Sequence, residues 1–238
     1  MRIWVARPEP GATRTGRRLA ALGHFPLVAP VLTIRPTGAA LPDGAFAGLL
    51  LTSANAVAAL TVADRARFAA LPVFAVGART AALARRAGLE AAREAGGDAA
   101  ALSALVRSTL PAGSALLHVA GAEGKAEPAA SLRAAGYAVS AVIAYAAEAA
   151  AMLPQIVAAA LAADPPAVDA VLHYSRRSAE TARHLAHRAG RSGAFGALKH
   201  YCLSSDVAAA LAAAGLDAHF VAARPDEESL LAGLVAGT

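Results

Sequence analysis

The residues of this chain best placed to do chemistry are small and polar, and they recur at one kind of position. Thr52 and Ser53 stop the apolar run Leu49–Leu51 and precede the alanine-rich tract that opens at Ala54. A buried strand that turns into a helix writes this pattern, because the helix N-terminus needs side chains to cap its free N–H groups. Those same N–H groups make such an end an anion site. Ser175 ends VLHY in the same way and is followed by Arg176 and Arg177; Ser204 and Ser205 end HYCL. Gly77, with Ala78 and Arg79 behind it, ends PVFAV, Ala120 and Gly121 end LLHV, and Arg7 ends RIWVA. Ser53 and Ser175 lie outside any G-x-S-x-G elbow, so they are expected as N-caps whose neighbouring amides bind, and not as nucleophiles.

Sharper chemistries lack carriers. Gly121 and Gly124 are too sparse for a P-loop or dinucleotide loop and read as a turn. His184 and His187 stand three apart on a predicted helix without an acidic or cysteine neighbour, which predicts a solvated face and no metal site. Glu90 with Glu94, and Asp226 with Glu227 and Glu228 at a helix start, read as cap and dipole residues, leaving no carboxylate pair for acid catalysis. Tyr145, in VIAYAAEAA, closes an apolar strand; its hydroxyl could donate a proton to a leaving group, although aromatic usage alone favours a packing role.

Alternating strands and helices position these turns. RIWVA is followed by a helix that puts Leu19 and Leu22 on one face and closes at Gly23. After the proline-punctuated stretch Pro36–Pro42 come the Leu49 strand with its helix to Leu60, a strand over Pro72–Val76, a helix from Gly77 to near Gly88, and one capped at Gly96, Gly97 and Asp98 with Leu102 and Leu105 inward. The second half repeats the order. ALLHVAG and its helix closing at Gly136 match the first unit, Val171–Leu185 matches the Leu49 stretch with Ser175 in place of Ser53, Ser204 takes the place of Gly77, and Asp226 that of Asp98. Ordered strand–helix repeats predict parallel strands, right-handed crossovers and two similar α/β domains with helices on both sheet faces. The turns then gather at one sheet edge in each domain, and two facing edges would make a cleft.

Bulk properties agree. At 238 residues the chain suits two domains of about 120 residues each, and its 57% hydrophobic content is largely alanine. Gly44–Ala63 carries no formal charge over the roughly 20 residues a bilayer requires, but Thr52, Ser53 and Asn55 interrupt it, so a strand followed by a helix is expected and no membrane association. No signal peptide is visible, and the single cysteine, Cys202, excludes an internal disulfide; the cytoplasm is the expected location. The net charge of +5, from 22 Lys and Arg against 17 Asp and Glu, suits a small anion better than nucleic acid, since no basic run is interleaved with aromatics.

The order RPEPGATRTGRRLAALGHFPLVAP, LLLTSANAV, PVFAVGARTAALARRAG, GGDAAAL, LLHVAG, VIAY, VLHYSRRSAET and ARPDEESLLAGL, spanning essentially the whole chain, resembles uroporphyrinogen-III synthase. The resemblance implies a flavodoxin-like α/β fold of two parallel-sheet domains, residues 1–36 with 148–238 and residues 37–147, joined by linkers near Arg35–Thr37 and Ala146–Glu148 that permit hinge motion around a ligand cleft. It implies a monomer that needs no metal or redox cofactor and converts hydroxymethylbilane, a linear tetrapyrrole with eight carboxylates, through an azafulvene and a spiro intermediate that inverts the last ring. Tyr145 matches the family's cleft tyrosine, Thr52 and Ser53 its first binding turn and Ser175 the second-domain turn. Arg7, Arg79, Arg176 and Arg177 would assist the turn amides in holding carboxylates. The family's Gly-Pro-Thr-Thr type turn is replaced by Ser204, Ser205, Asp206 and Val207, so only the amides of Ser204 and Ser205 carry over. A non-catalytic hinged binding protein for a small polyanion is the alternative from another class.

Overall fold

The structure, a computed structural model, describes residues 1–124 and 126–235. In chain order the first half reads β1 (Arg2–Val5), α1 (Gly11–Ala21), β2 (Phe25–Val28), β3 (Leu32–Pro36), β4 (Gly48–Leu51), α2 (Ala54–Ala59), α3 (Val62–Phe68), β5 (Val73–Ala75), α4 (Ala78–Arg86), β6 (Ala92–Glu94) and α5 (Ala99–Thr109). The second reads β7 (Ala115–Gly121), α6 (Ala129–Ala134), β8 (Ala138–Ala149), α7 (Gln155–Ala162), β9 (Ala170–His173), α8 (Arg176–Arg188), α9 (Ser192–Gly196), β10 (Lys199–Cys202), α10 (Ser205–Ala212), β11 (Phe220–Val221) and α11 (Glu227–Val235). The chain divides into two compact units: Met1–Thr33 with the chain from Glu148 onward, and Ile34–Ala147.

In unit 1 the strand order is β2-β1-β9-β10-β11, with each neighbouring pair parallel. In unit 2 it is β8-β7-β4-β5-β6, again parallel, with β3 beyond β8. The two orders coincide when β7 and β8 answer to β1 and β2, so, β3 aside, each sheet joins two strands of one half to three of the other. This is the flavodoxin-like order, and its ligand crevice lies where consecutive crossovers leave in opposite directions. That point falls between β1 and β9 in unit 1, and between β7 and β4 in unit 2.

Central strands are buried on both faces, as parallel strands covered by helices must be. Leu49 and Leu51 pack with Leu117 and Val119 against Ala56, Phe68 and Ala84 on one face of unit 2. Leu50, Phe74 and Leu116 pack against Leu102, Val106 and Leu132 on the other. In unit 1, Ile3, Val5, Ala170 and Leu172 meet Leu19 of α1 and Leu230, Leu231 and Leu234 of α11. The opposite face holds Cys202 against α8 and α10, and a buried aromatic group in which the Phe195 ring packs T-shaped with Trp4, His173 and His200.

The helix ends follow local rules. Ser53 and Ser175 are N-caps whose hydroxyls accept from the Asn55 and Ser178 amides at 3.1 and 3.2 Å. Asp98 and Asp226 accept from Ala101 and Ser229, both at 2.7 Å. Gly23 and Gly136, at φ 78° and 87°, end α1 and α6. There the amide of the following residue reaches back to Leu19 and Leu132, the left-handed closure that glycine adopts without a Cβ penalty.

Two expectations change. Leu22 is the C-cap of α1 and is exposed, so Leu19 alone of that pair enters the core. The helix expected to run to Leu60 stops at Ala59, and a separate α3 begins behind a capping box in which Thr61 and Asp64 satisfy each other's amides. Leu102 and Leu105 both pack on the core as expected, Leu105 partly buried, and Val106 is buried with them. The chain passes between the units at Thr33/Ile34 and Ala147/Glu148, beside and within the segments expected as linkers, with Arg35 on β3 and Ala146–Glu148 on β8.

Candidate functional site

Thr52 and Ser53 follow β4, and Ala120 and Gly121 end β7, so all four stand at the switch point of unit 2. Tyr145 joins them from β8, where its backbone pairs with Gly121 across a register shift at Ala120/Gly121. The strand does not end at Tyr145 but runs on to Ala149. The phenol ring lies directly over Gly121: a Cβ there would come within 2.5 and 2.7 Å of two ring carbons and 3.1 Å of the hydroxyl. Only glycine leaves room for this approach. Burial raises the Tyr145 pKa, the Ser53 hydroxyl beside it works in the opposite sense, and the Glu123 carboxylate raises it further. The phenol therefore keeps its proton at neutral pH. Beneath the turn, the Thr52 hydroxyl is 3.2 Å from Nε2 of buried His118, whose pKa is lowered by burial and by the Arg133 charge. Gly77 is the N-cap of α4, with exposed Ala78 and Arg79 in its first turn.

In unit 1, Ser175 caps α8 with Arg176 and Arg177 exposed behind it. Arg176 donates to Asp206 at 2.7 Å and lies 3.9 Å from Glu180, tying the start of α8 to that of α10. Ser204 is the N-cap of α10, but its hydroxyl makes no cap bond, so the turn before Ser205 presents backbone in the same extended conformation as Gly77. Arg7 follows β1 and is not directed to solvent. It pairs with Glu227 at 3.1 Å and lies over the Tyr174 ring, 3.8 Å from its centroid.

Two groups escaped the sequence. His118 is the lone polar side chain inside the strand run LLHVAG, a signal that was available. Glu227 was expected as a dipole residue, but it also accepts from Thr15, Tyr174, Arg7 and Arg18. Burial pushes its pKa up, yet these donors and the Arg7 charge outweigh that and keep it ionised. Tyr174 is pushed up to about 12, chiefly by burial. His184 and His187 are both exposed on α8, and His187 bonds the Ser192 hydroxyl at 3.1 Å.

Two units of flavodoxin-like strand order, each with its strand-to-helix turns at the carboxyl ends of parallel strands, place the chain among the open α/β proteins, a class whose ligands bind at that edge. The chain belongs to the uroporphyrinogen-III synthase HemD family, whose family model matches residues 13–232. Among solved structures it is similar to uroporphyrinogen-III synthetase from Helicobacter pylori 26695, at 14% identity and a TM-score of 0.67 over 100% of this chain and 99% of that one. It is also similar to a mutant uroporphyrinogen III synthase from the extremely thermophilic bacterium Thermus thermophilus, at 20% identity and a TM-score of 0.52 over 100% and 97%. No curated protein matches. Among the described residues, no helix is long and apolar enough to cross a membrane.

Proposed function

We propose that this chain closes hydroxymethylbilane to uroporphyrinogen III, releasing one water and inverting the last pyrrole ring, with Tyr145 as the proton donor. One observation carries the reading: in a chain of this family, a protonated phenol lies over Gly121 beside Ser53 at the switch point of unit 2. The Tyr145 hydroxyl donates its proton to the departing hydroxymethyl oxygen, which leaves as water and generates the azafulvene. The substituted carbon of the last ring attacks that electrophile, and the spiro product fragments and recloses. The ring proton lost on rearomatisation restores the phenol, so protons balance over the cycle.

The remaining residues hold carboxylates and fix the fold of the bilane. The turn amides at Thr52, Ser53 and Ala54, Gly77 and Ala78, Ser175, and Ser204 and Ser205 serve this role, assisted by Arg79, Arg176 and Arg177; at Ala120 and Gly121 the next amide, that of Ala122, already donates to the Tyr145 carbonyl at 2.9 Å, so that turn contributes shape. Arg7 acts less directly, since its charge is already shared with Glu227. Holding the reacting carbons in near-attack geometry supplies up to about 7–11 kcal/mol. The protein is proposed to act as a monomer in the cytoplasm, without nucleic acid. Its one thiol, Cys202, is buried and pushed up to about 11, which suits a packing role.

The decisive experiment incubates the protein with hydroxymethylbilane and separates the isomers. Isomer III is expected, and isomer I alone would refute the assignment. Tyr145→Phe is expected to lower kcat while leaving product affinity nearly intact; an unchanged rate would make Tyr145 a packing residue.

A further inference from the structure

Glu227 opens α11 and gathers side chains from the two strand ends that flank the unit 1 switch point. Its Oε1 accepts from Arg7 at 3.1 Å, from the Tyr174 hydroxyl at 2.8 Å and from the Thr15 hydroxyl. Its Oε2 accepts from Arg18 at 2.9 Å and stands 3.8 Å from Arg14 Nε. Three arginines thus face one carboxylate, and the cluster keeps an excess of positive charge.

The three are not equivalent. Arg7 is enclosed between the Tyr174 ring, 3.8 Å away, and Gly11, where a Cβ would come within 2.6 Å of its Nε. Arg14 and Arg18 are 40% and 42% exposed, and each meets Glu227 through a single nitrogen at the same oxygen. Their other N–H groups have no protein partner among the described residues. The backbone of α1 sets two arginines four residues apart on one face, where their like charges repel. Glu227 offsets that repulsion.

We propose that Arg14 and Arg18, pinned by Glu227, form a receptor for one carboxylate of an incoming polycarboxylate; taking that ligand to be the bilane, through an acetate or propionate arm, rests on the closure reading. Each guanidinium presents further N–H donors in a planar fork of the kind that matches the two oxygens of a carboxylate. Arg14 lies in the half of α1 that follows the carboxyl end of β1, the edge where this fold takes ligands, and Arg18 stands one turn further along the helix.

The test uses benzenehexacarboxylate as the probe, titrated by calorimetry, which is independent of turnover. Arg14→Gln and Arg18→Gln are each expected to weaken it about tenfold, the loss of one charge-assisted contact, whereas Arg17→Gln, which removes the same charge from an exposed neighbour, leaves it within about twofold. With the bilane, the first two raise KM and leave kcat unchanged. Wild-type affinity in both variants, or an equal loss in Arg17→Gln, overturns the receptor. Failure of the wild-type protein to close the bilane, with probe binding still lost in Arg14→Gln and Arg18→Gln, would overturn the closure reading and uphold the receptor.

Discussion

Gly121→Ala tests whether the placement of Tyr145 is a requirement of the chemistry. The added Cβ would come within 2.5 and 2.7 Å of two ring carbons of Tyr145, where carbon atoms rest at about 3.5–4.0 Å. Gly121 is not among the glycines with positive φ, so alanine meets no backbone strain there and the whole cost is steric. Relief requires the ring to retreat by about 1 Å. A misplacement of this size costs about a hundredfold in rate, equivalent to about 2.7 kcal/mol of barrier. The overpacked contact itself costs about 1–3 kcal/mol of stability. The assay measures kcat and KM for bilane closure and the ratio of isomers III and I, with a denaturant titration run in parallel. The expected result is a kcat near one hundredth of the parent, a nearly unchanged KM and a folded protein. Adding Gly121→Ala to Tyr145→Phe should cost little more than Tyr145→Phe alone, because both act through one hydroxyl. Full kcat in folded Gly121→Ala, or losses that simply add, would refute the assignment of Tyr145 to the reacting centre.

Other expectations concern stability. His200 donates through Nε2 to the Phe195 carbonyl at 3.2 Å, so its Nδ1 accepts from His173 Nε2 at 2.9 Å and His173 Nδ1 is left without a partner. A proton there would be buried and unsatisfied, and burial, with the His200 charge, lowers the His173 pKa from 6.5 to about 3. The unfolded chain therefore binds the proton first: stability is fully present above pH 6.5 and is lost progressively as pH falls towards 3, by on the order of 5 kcal/mol at about 1.36 kcal/mol per pH unit. Denaturant titrations across this range should show the slope, and His173→Leu should remove most of it; an identical slope in that variant would contradict the account. Glu227→Gln weakens the acceptor shared by Arg7, Thr15, Tyr174 and Arg18 and is expected to cost about 2 kcal/mol by the same method. Asp98→Ala and Asp226→Ala should each cost about 1 kcal/mol, nearly equally, because both remove the same cap bond.

The sequence by itself determined what depends on near neighbours. Ser53, Ser175, Asp98 and Asp226 cap amides two or three residues away, and Gly23 and Gly136 close helices through bonds that span one turn. Such geometry is set by residue type and local backbone, so the helix starts, the repeat and the sheet edge that carries the turns were all legible. The capping box of Thr61 and Asp64 is local in the same way. Tertiary structure alone decided the contacts between elements distant in the chain. The Thr15 and Arg7 bonds to Glu227 close over separations of 212 and 220 residues, and His173 meets His200 only because β9 and β10 lie side by side. Tyr145 reaches the switch point through strand register: a parallel pairing with a shift at Ala120/Gly121 sets its ring over the one position without a Cβ. A shift of one residue would carry it to the opposite face, and nothing within VIAYAAEAA fixes that register.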